Sequence, residues 1–192
     1  MKKKENPQLI LVSGNARVGK DTFFNTLSNL LNDRINCNRF AFADQIKDDL
    51  SDLLMNNFNI DPHHPSEEQK EIIRPLLVSY GTDVARKLNP EFWIKKIYKK
   101  IEKNNSLTHN LCVITDARYP NEQTFFKKRF AKCISVHIER FGFGPANKEE
   151  EKNSPLLKAK SDYVISWETF NDNMDLAEPF VNGFINEKLK IR

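Results

Sequence analysis

A four-residue apolar run, Leu9-Ile10-Leu11-Val12, leads through Ser13 into Gly14-Asn15-Ala16-Arg17-Val18-Gly19-Lys20, and nothing else in the chain restricts its fold so tightly. Such a run is what a strand buried on both faces of a parallel sheet looks like. The seven residues after it fit the G-x-x-x-x-G-K pattern of a phosphate-binding loop. Glycines there let the backbone curl until successive N–H groups converge on phosphate oxygens. A helix starting after Gly19 aims its positive end at the same point, and Lys20 adds a full charge for the β- and γ-phosphates. Phe23, Phe24, Leu27, Leu30 and Leu31 then recur at helical spacing. The bare pattern arises by chance in roughly one chain in twenty of this length; the strand before it and the helix after it make it specific.

The rest of the chain alternates strand and helix in the same way. A weaker strand is predicted near Arg39 to Ala43, followed by a helix from Gln45 to about Asn56, capped by Asp44 and striped by Ile46, Leu50, Leu53 and Leu54. Asp61-Pro62-His63-His64-Pro65 reads as a loop. Ser66 caps a further helix with Glu67 and Glu68 in its first turn, and Gly81-Thr82-Asp83 interrupts it. From Glu91 to Lys103 an apolar arc (Trp93, Ile94, Ile97, Tyr98, Ile101) opposes a lysine arc (Lys95, Lys96, Lys99, Lys100, Lys103), the pattern of a surface helix with a solvated back. Leu111 to Thr115 is a second buried-strand run, ending at Asp116. A helix over Asn121 to Ala131, a strand over Cys133 to Ile138 with Glu139-Arg140 at its end, a polar excursion over Phe143 to Ser161, a strand over Asp162 to Trp167 and a helix over Asp175 to Leu189 complete the chain. This alternation predicts an α/β fold: three α/β/α layers around a central, mainly parallel five-stranded sheet. Ligands on such sheets gather at the carboxyl ends of the strands, where Gly14, Asp116 and Arg140 all fall.

Composition narrows the class further. At 192 residues the chain fits a single domain that buries about 70% of its unfolded surface, so a core needs neither disulfides nor structural metal. Thirty basic against 26 acidic residues leave a net charge of +4, too mild for a protein that lives on nucleic acid. Three cysteines, Cys37, Cys112 and Cys133, form no C-x-x-C pair and argue for a reducing, cytoplasmic setting. The histidines (His63, His64, His109, His137) lack metal-ligand spacing. No apolar run is long enough for a membrane span, and the basic stretch Met1 to Asn6 precedes a run too short for a signal-peptide core.

What accepts the phosphoryl group is legible in part. Ile114-Thr115-Asp116 is followed by Ala117-Arg118, so the strand offers an acidic group but no adjacent glutamate to activate water as in motor-type ATPases. Asn147-Lys148-Glu149-Glu150 approaches a guanine-reading N-K-x-D motif but sits in a charge run, as a solvated loop does. Arginines at the active edge suit transfer instead, because charge spreads over the equatorial oxygens in the transition state; Arg17, Arg118 and Arg140 are placed for it. A phosphate acceptor is nucleophilic enough to need no general base, leaving positioning and charge neutralisation as the whole task.

Three separated motifs, Gly14 to Thr22 (GNARVGKDT), Tyr80 to Asp83 (YGTD) with Trp93 downstream, and Thr115 to Glu122 (TDARYPNE), together with Ala43-Asp44-Gln45-Ile46-Lys47, resemble the bacteriophage-type deoxynucleoside monophosphate kinases, which are P-loop nucleoside monophosphate kinases. The G-K-D start is shared with phosphomevalonate kinases. The resemblance implies one P-loop kinase domain over 1–192, with a helical acceptor-binding region at about 44–108 and a lid at about 141–161 whose lysines are Lys148, Lys152, Lys158 and Lys160. It implies ATP on Gly14, Asn15, Ala16, Arg17, Val18, Gly19, Lys20, Asp21 and Thr22. The acceptor nucleotide would lie between Ile46-Lys47, Gly81-Thr82 and Trp93, with Arg74 and Arg86 as candidates for its phosphate.

Asp116 and Glu122 are carried over as acidic residues near substrate or Mg²⁺. The residue after Lys20, where Ser or Thr usually holds Mg²⁺, is Asp21, with Thr22 next; Asp21 either contacts the hydrated ion or favours the helix N-terminus. Trp93 either packs on the acceptor or is a core tryptophan, Asp83 either meets the acceptor or caps a helix, and Glu122 is either near substrate or a first-turn helix residue. Lys20, Arg118, Arg140 and Asp116 are the expected catalytic set. The expected reaction moves the γ-phosphoryl of ATP, with Mg²⁺, to a (deoxy)nucleoside monophosphate. The alternatives are a kinase of another small phosphorylated metabolite, phosphomevalonate among them, a nucleotide-binding regulatory protein without turnover, and a nucleic-acid module on the lysine arc. A homodimer is compatible with the sequence, which fixes no oligomeric state.

Overall fold

A computed structural model describes residues 8–32, 34–104, 110–168 and 174–189; the basic first six residues and His109 lie outside them. Contacts divide the chain into two compact units. One runs through Phe40 and resumes at Asn104, and the other is Ala41–Lys103.

The first unit holds the sheet. Strands β1 (Gln8–Ser13), β2 (Asn36–Phe40), β3 (Asn110–Ala117), β4 (Cys133–Arg140) and β5 (Tyr163–Trp167) are ordered β2-β3-β1-β4-β5, and every pairing is parallel. The strand flowing into the phosphate loop is therefore central, with β3 and β4 on its two sides, which explains why Leu9 to Val12 is at most 1% exposed. Register carries the chemistry to one edge: Ser13 is paired with Ala117 on one side and His137 on the other, and Arg140 with Trp167 beyond. Helices α1 (Lys20–Leu31), α5 (Pro120–Arg129), α6 (Lys148–Ala159) and α7 (Glu178–Phe184), the last flanked by a 3-10 turn Met174–Ala177 and a π-helical segment Ile185–Leu189, belong to this unit. Its largest core joins Phe23, Leu27 and Leu31 of α1 to Val181 and Phe184 of α7 over Ile10, Val12, Val113 and Val136. Phe23 and Phe184 meet edge to face at 5.5 Å, the arrangement the ring quadrupoles prefer.

The second unit is helical, built of α2 (Phe42–Phe58), α3 (Glu67–Val78), a π-helical segment Ser79–Arg86 and α4 (Phe92–Asn104). Leu50, Leu54 and Ile73 form a small core with Ile46, Ile60, Leu77 and Tyr80 against it. Ser66 caps α3 in a reciprocal box with Gln69, satisfying two otherwise orphaned backbone donors.

Four local expectations are corrected. The edge strand β2 ends at Phe40, ahead of the expected Arg39 to Ala43, because Asn36-Cys37-Asn38-Arg39 lacks the apolar signal of a central strand. Consequently α2 starts at Phe42, with Asp44 inside its first turn rather than capping it. Gly81-Thr82-Asp83 does not break the helix; the chain passes through it as a π-helix, a variant frequent at functional sites. The polar stretch after β4 contains α6, which Asn147 caps by accepting the Glu150 N–H at 2.9 Å and which buries Glu150, Asn153 and Leu157.

Candidate active site

The phosphate loop owes its curl to three left-handed residues: Gly14 (φ 141°), Arg17 (φ 64°) and Gly19 (φ 93°). At Gly14 the glycine is required twice, since a Cβ would also collide with the Ile138 carbonyl oxygen of β4. Gly19 lies against the Trp167 ring, which a Cβ would approach to 2.9 Å, while the Trp167 indole N–H donates to the Val18 carbonyl at 2.7 Å.

Side chains hold the loop from several directions. Lys20 Nζ donates to the carbonyls of Gly14 (2.9 Å) and Asn15 (2.5 Å). The Ala16 N–H donates to Glu150 Oε2 at 3.0 Å, and Arg140 donates to the Arg17 carbonyl at 3.1 Å while stacking over the Phe143 ring. Burial, followed by the neighbouring Arg118 charge, pulls the Lys20 ammonium below its usual pKa; the carboxylates of Glu150, Asp116 and Asp21 oppose that shift. A partly desolvated lysine near a second cation is poised to gain from an arriving polyanion.

The structure brings most of the expected phosphate-handling residues together. Asp116 is half-buried near the carboxyl end of β3, and Arg118 follows that strand with an exposed guanidinium 3.9 Å from Glu150. Thr22 is half-buried in the first turn of α1, whereas Asp21 is largely exposed and 3.5 Å from Arg39. The Thr115 hydroxyl is buried beside Asp116 with no hydrogen-bond partner. Asp116 and Thr22 each offer a hard oxygen of the kind that suits Mg²⁺, an ion usually held by one or two carboxylates, waters and the substrate phosphates.

A cavity of about 610 Å³ adjoins the loop, lined among others by Asn15, Arg140, Phe141, Phe143, Trp167 and Phe180. Its walls combine aromatic rings, which suit a heteroaromatic base, with the Arg140 guanidinium and the carboxylates of Glu139 and Glu168. His137, which belongs to the same lining, is 2% exposed. Its Nδ1 lies 3.0 Å from Ser13 Oγ, and burial pushes its pKa down to about 4; at neutral pH it is an uncharged packing group.

Two expected site residues are inside the protein instead. Glu122 is wholly buried, and its Oε2 accepts the N–H groups of Arg118 (2.7 Å) and Tyr119 (3.0 Å); it holds the backbone that carries Arg118 rather than a ligand. Trp93 is 1% exposed and donates its indole N–H to the Gly81 carbonyl at 2.9 Å, so the core role is the one it plays. The same turn is tight on its other side, where Ile46 fills the space a Gly81 Cβ would need. Lys47, Thr82 and Arg86 are half-buried and Arg74 is exposed. Asp83 caps nothing: it sits within the π-helical segment, paired with Lys87 at 2.8 Å. Glu150 was not anticipated, although Asn147 three residues before it is the capping pattern that locates α6.

The family model described as phosphomevalonate kinase matches residues 12–132. The chain belongs to this family. That match begins in β1 and ends just before β4, so it spans the loop, the helical unit and the Asp116-Arg118 edge. No curated protein matches the chain. Among solved structures, shikimate kinase from Bacteroides thetaiotaomicron aligns over 93% of this chain and 98% of its own, with a TM-score of 0.50 and 8% identity. Shikimate kinase from Acinetobacter baumannii, in complex with shikimate, aligns over 96% and 97% with a TM-score of 0.46 and 15% identity. The Bacteroides enzyme agrees with the fold read above, a P-loop kinase-like α/β sheet. Membership of the phosphomevalonate kinase family makes this a kinase-type phosphotransferase chain. Among the described residues, no helix is long and apolar enough to cross a membrane.

Proposed function

We propose that this protein transfers the γ-phosphoryl group of ATP to the phosphate of a small monoester, and that its acceptor is a (deoxy)nucleoside monophosphate, yielding the diphosphate and ADP. The observation that carries the reading is the loop itself: left-handed at Gly14, Arg17 and Gly19, its carbonyls gathered by Lys20, with Arg118 and Arg140 beside it. Lys20 holds the β- and γ-phosphates, and the guanidinium groups neutralise charge developing on the transferring group. The aromatic cavity beside Arg140 takes the adenine. Thr22 and Asp116 would hold Mg²⁺, which would supply charge neutralisation for the phosphates. No proton has to be removed from a phosphate dianion, in keeping with a neutral, packed His137. The segment 141–161, which bears α6, acts as the lid that excludes water from the loop.

The nucleotide acceptor rests on the joint occurrence of GNARVGKDT, YGTD and TDARYPNE. A second reading, phosphomevalonate as acceptor, is favoured by the family match. Both acceptors are phosphate monoesters, so the same charge arrangement serves either. A panel of dGMP, dTMP, dCMP, dAMP, their ribo counterparts and phosphomevalonate, each with Mg·ATP, separates them by which diphosphate forms. Product from a nucleotide and none from phosphomevalonate supports the first; the reverse replaces it with the second. ATP binding without product from any acceptor leaves a nucleotide-binding protein that does not turn over.

A further inference from the structure

Beside a loop built to receive anions, the fold buries a carboxylate. Glu150, in the first turn of α6, is 7% exposed. Its Oε2 accepts two backbone N–H groups, Ala16 of the phosphate loop and Ala146 ahead of its own helix, each at 3.0 Å. Its Oε1 lies 3.9 Å from the Arg118 guanidinium. A negative charge here weakens triphosphate binding unless it organises something worth more. Two things stand organised. Along the loop, the Gly14 and Asn15 carbonyls are taken by Lys20, the Ala16 N–H by Glu150 and the Arg17 carbonyl by Arg140. Four consecutive residues are thus held before any ligand arrives, the condition for binding without reorganisation. At 3.9 Å, moreover, the carboxylate orients Arg118 without closing a hydrogen bond, so the guanidinium keeps its donors for phosphate oxygens.

We propose that Glu150 is a positioning residue for phosphoryl transfer, setting the shape of the phosphate loop through the Ala16 N–H and the aim of Arg118 through its charge. The proposal rests on the phosphotransfer reading above. It gives α6 a definite role: the helix delivers one carboxylate, across 134 residues of sequence, to the loop and the arginine together.

The test compares the wild type with Glu150→Gln and Glu150→Ala, measuring ATP binding by calorimetry, melting temperature, and kcat and KM on the acceptor that the panel identifies. Glu150→Ala loses the two backbone hydrogen bonds and the charge facing Arg118: ATP binds about tenfold more weakly and kcat falls at least about tenfold. Glu150→Gln keeps an oxygen for the Ala16 N–H and regains most of the ATP affinity, while its kcat stays low because Arg118 has lost its opposite charge. That split between binding and turnover is not what simple loss of packing produces. Should Glu150→Ala not fold, Glu150→Gln alone decides, and an unchanged kcat in it overturns the proposal. ATP binding in Glu150→Ala equal to the wild type overturns it too. Tighter binding does so in a different way, by showing the carboxylate to occupy a phosphate's place. A wild type that binds no ATP removes the phosphotransfer reading and this role with it, whereas a wild type that binds and turns over alongside unaltered variants removes the Glu150 role alone.

Discussion

At the scale of single residues, Lys20 carries the strongest expectation. Its ammonium ties the Gly14 and Asn15 carbonyls together at the end of the G-x-x-x-x-G-K loop, and in the proposed reaction it holds the triphosphate. Lys20→Ala should cost at least about a hundredfold in kcat, comparable to losing one preorganised donor to a developing charge, with the far-UV circular dichroism unchanged. His137 makes a second prediction, in stability. Its folded pKa is lowered to about 4, chiefly by burial, from an ordinary value of 6.5. Between those limits the unfolded chain binds more protons than the folded one, so this contribution is complete above pH 6.5 and is lost as pH falls toward 4. The loss amounts to about 3 kcal/mol at most. Urea melts at pH 7 and pH 4.5 should show it, and His137→Gln should flatten that part of the dependence. Lys20 was legible because its motif is local. Glu122 and Trp93 were not, because whether a carboxylate faces a ligand or a backbone N–H, or an indole a substrate or a carbonyl, is decided by residues distant in sequence.

At the scale of elements, glycine positions distinguish required from incidental backbone. Gly14→Ala combines a left-handed φ with a clash against the β4 backbone, and should destabilise by about 2–5 kcal/mol. Gly144→Ala, where a Cβ meets nothing within 4 Å, should stay within about 0.5 kcal/mol of the wild type. Melting temperatures of the two variants compare them directly. Strands β1 and β3 could be read from continuous apolar runs because both are flanked by neighbours in the sheet. The edge strand β2 could be placed only to within a few residues, since Asn, Cys and Arg alternate there without an apolar face. Helix α6 was obscured by its charge: Lys148 to Lys152 reads as a solvated run until the side chain of Glu150 is seen turned inward.

At the scale of the whole molecule, the α/β alternation was sufficient to predict a parallel five-stranded sheet, while its division into two contact units follows from packing that no local pattern encodes. The helical unit has its own small core of Leu50, Leu54 and Ile73, well below the extent of the core around β1. Leu54→Ala should therefore raise amide hydrogen exchange through α2 and α3 by a factor set by about 2–4 kcal/mol, leaving β1 amides close to their wild-type rates. Exchange that rises equally in every element would mean that the two units open as one. The chain has two tryptophans, and the fold distributes them one to each unit: Trp167 with its ring against Gly19 and its N–H on the Val18 carbonyl, Trp93 with its N–H on Gly81. Intrinsic fluorescence is thus already labelled by location. In a Trp93→Phe protein, emission reports events at the phosphate loop; in a Trp167→Phe protein, it follows the helical unit, with no dye attached to either.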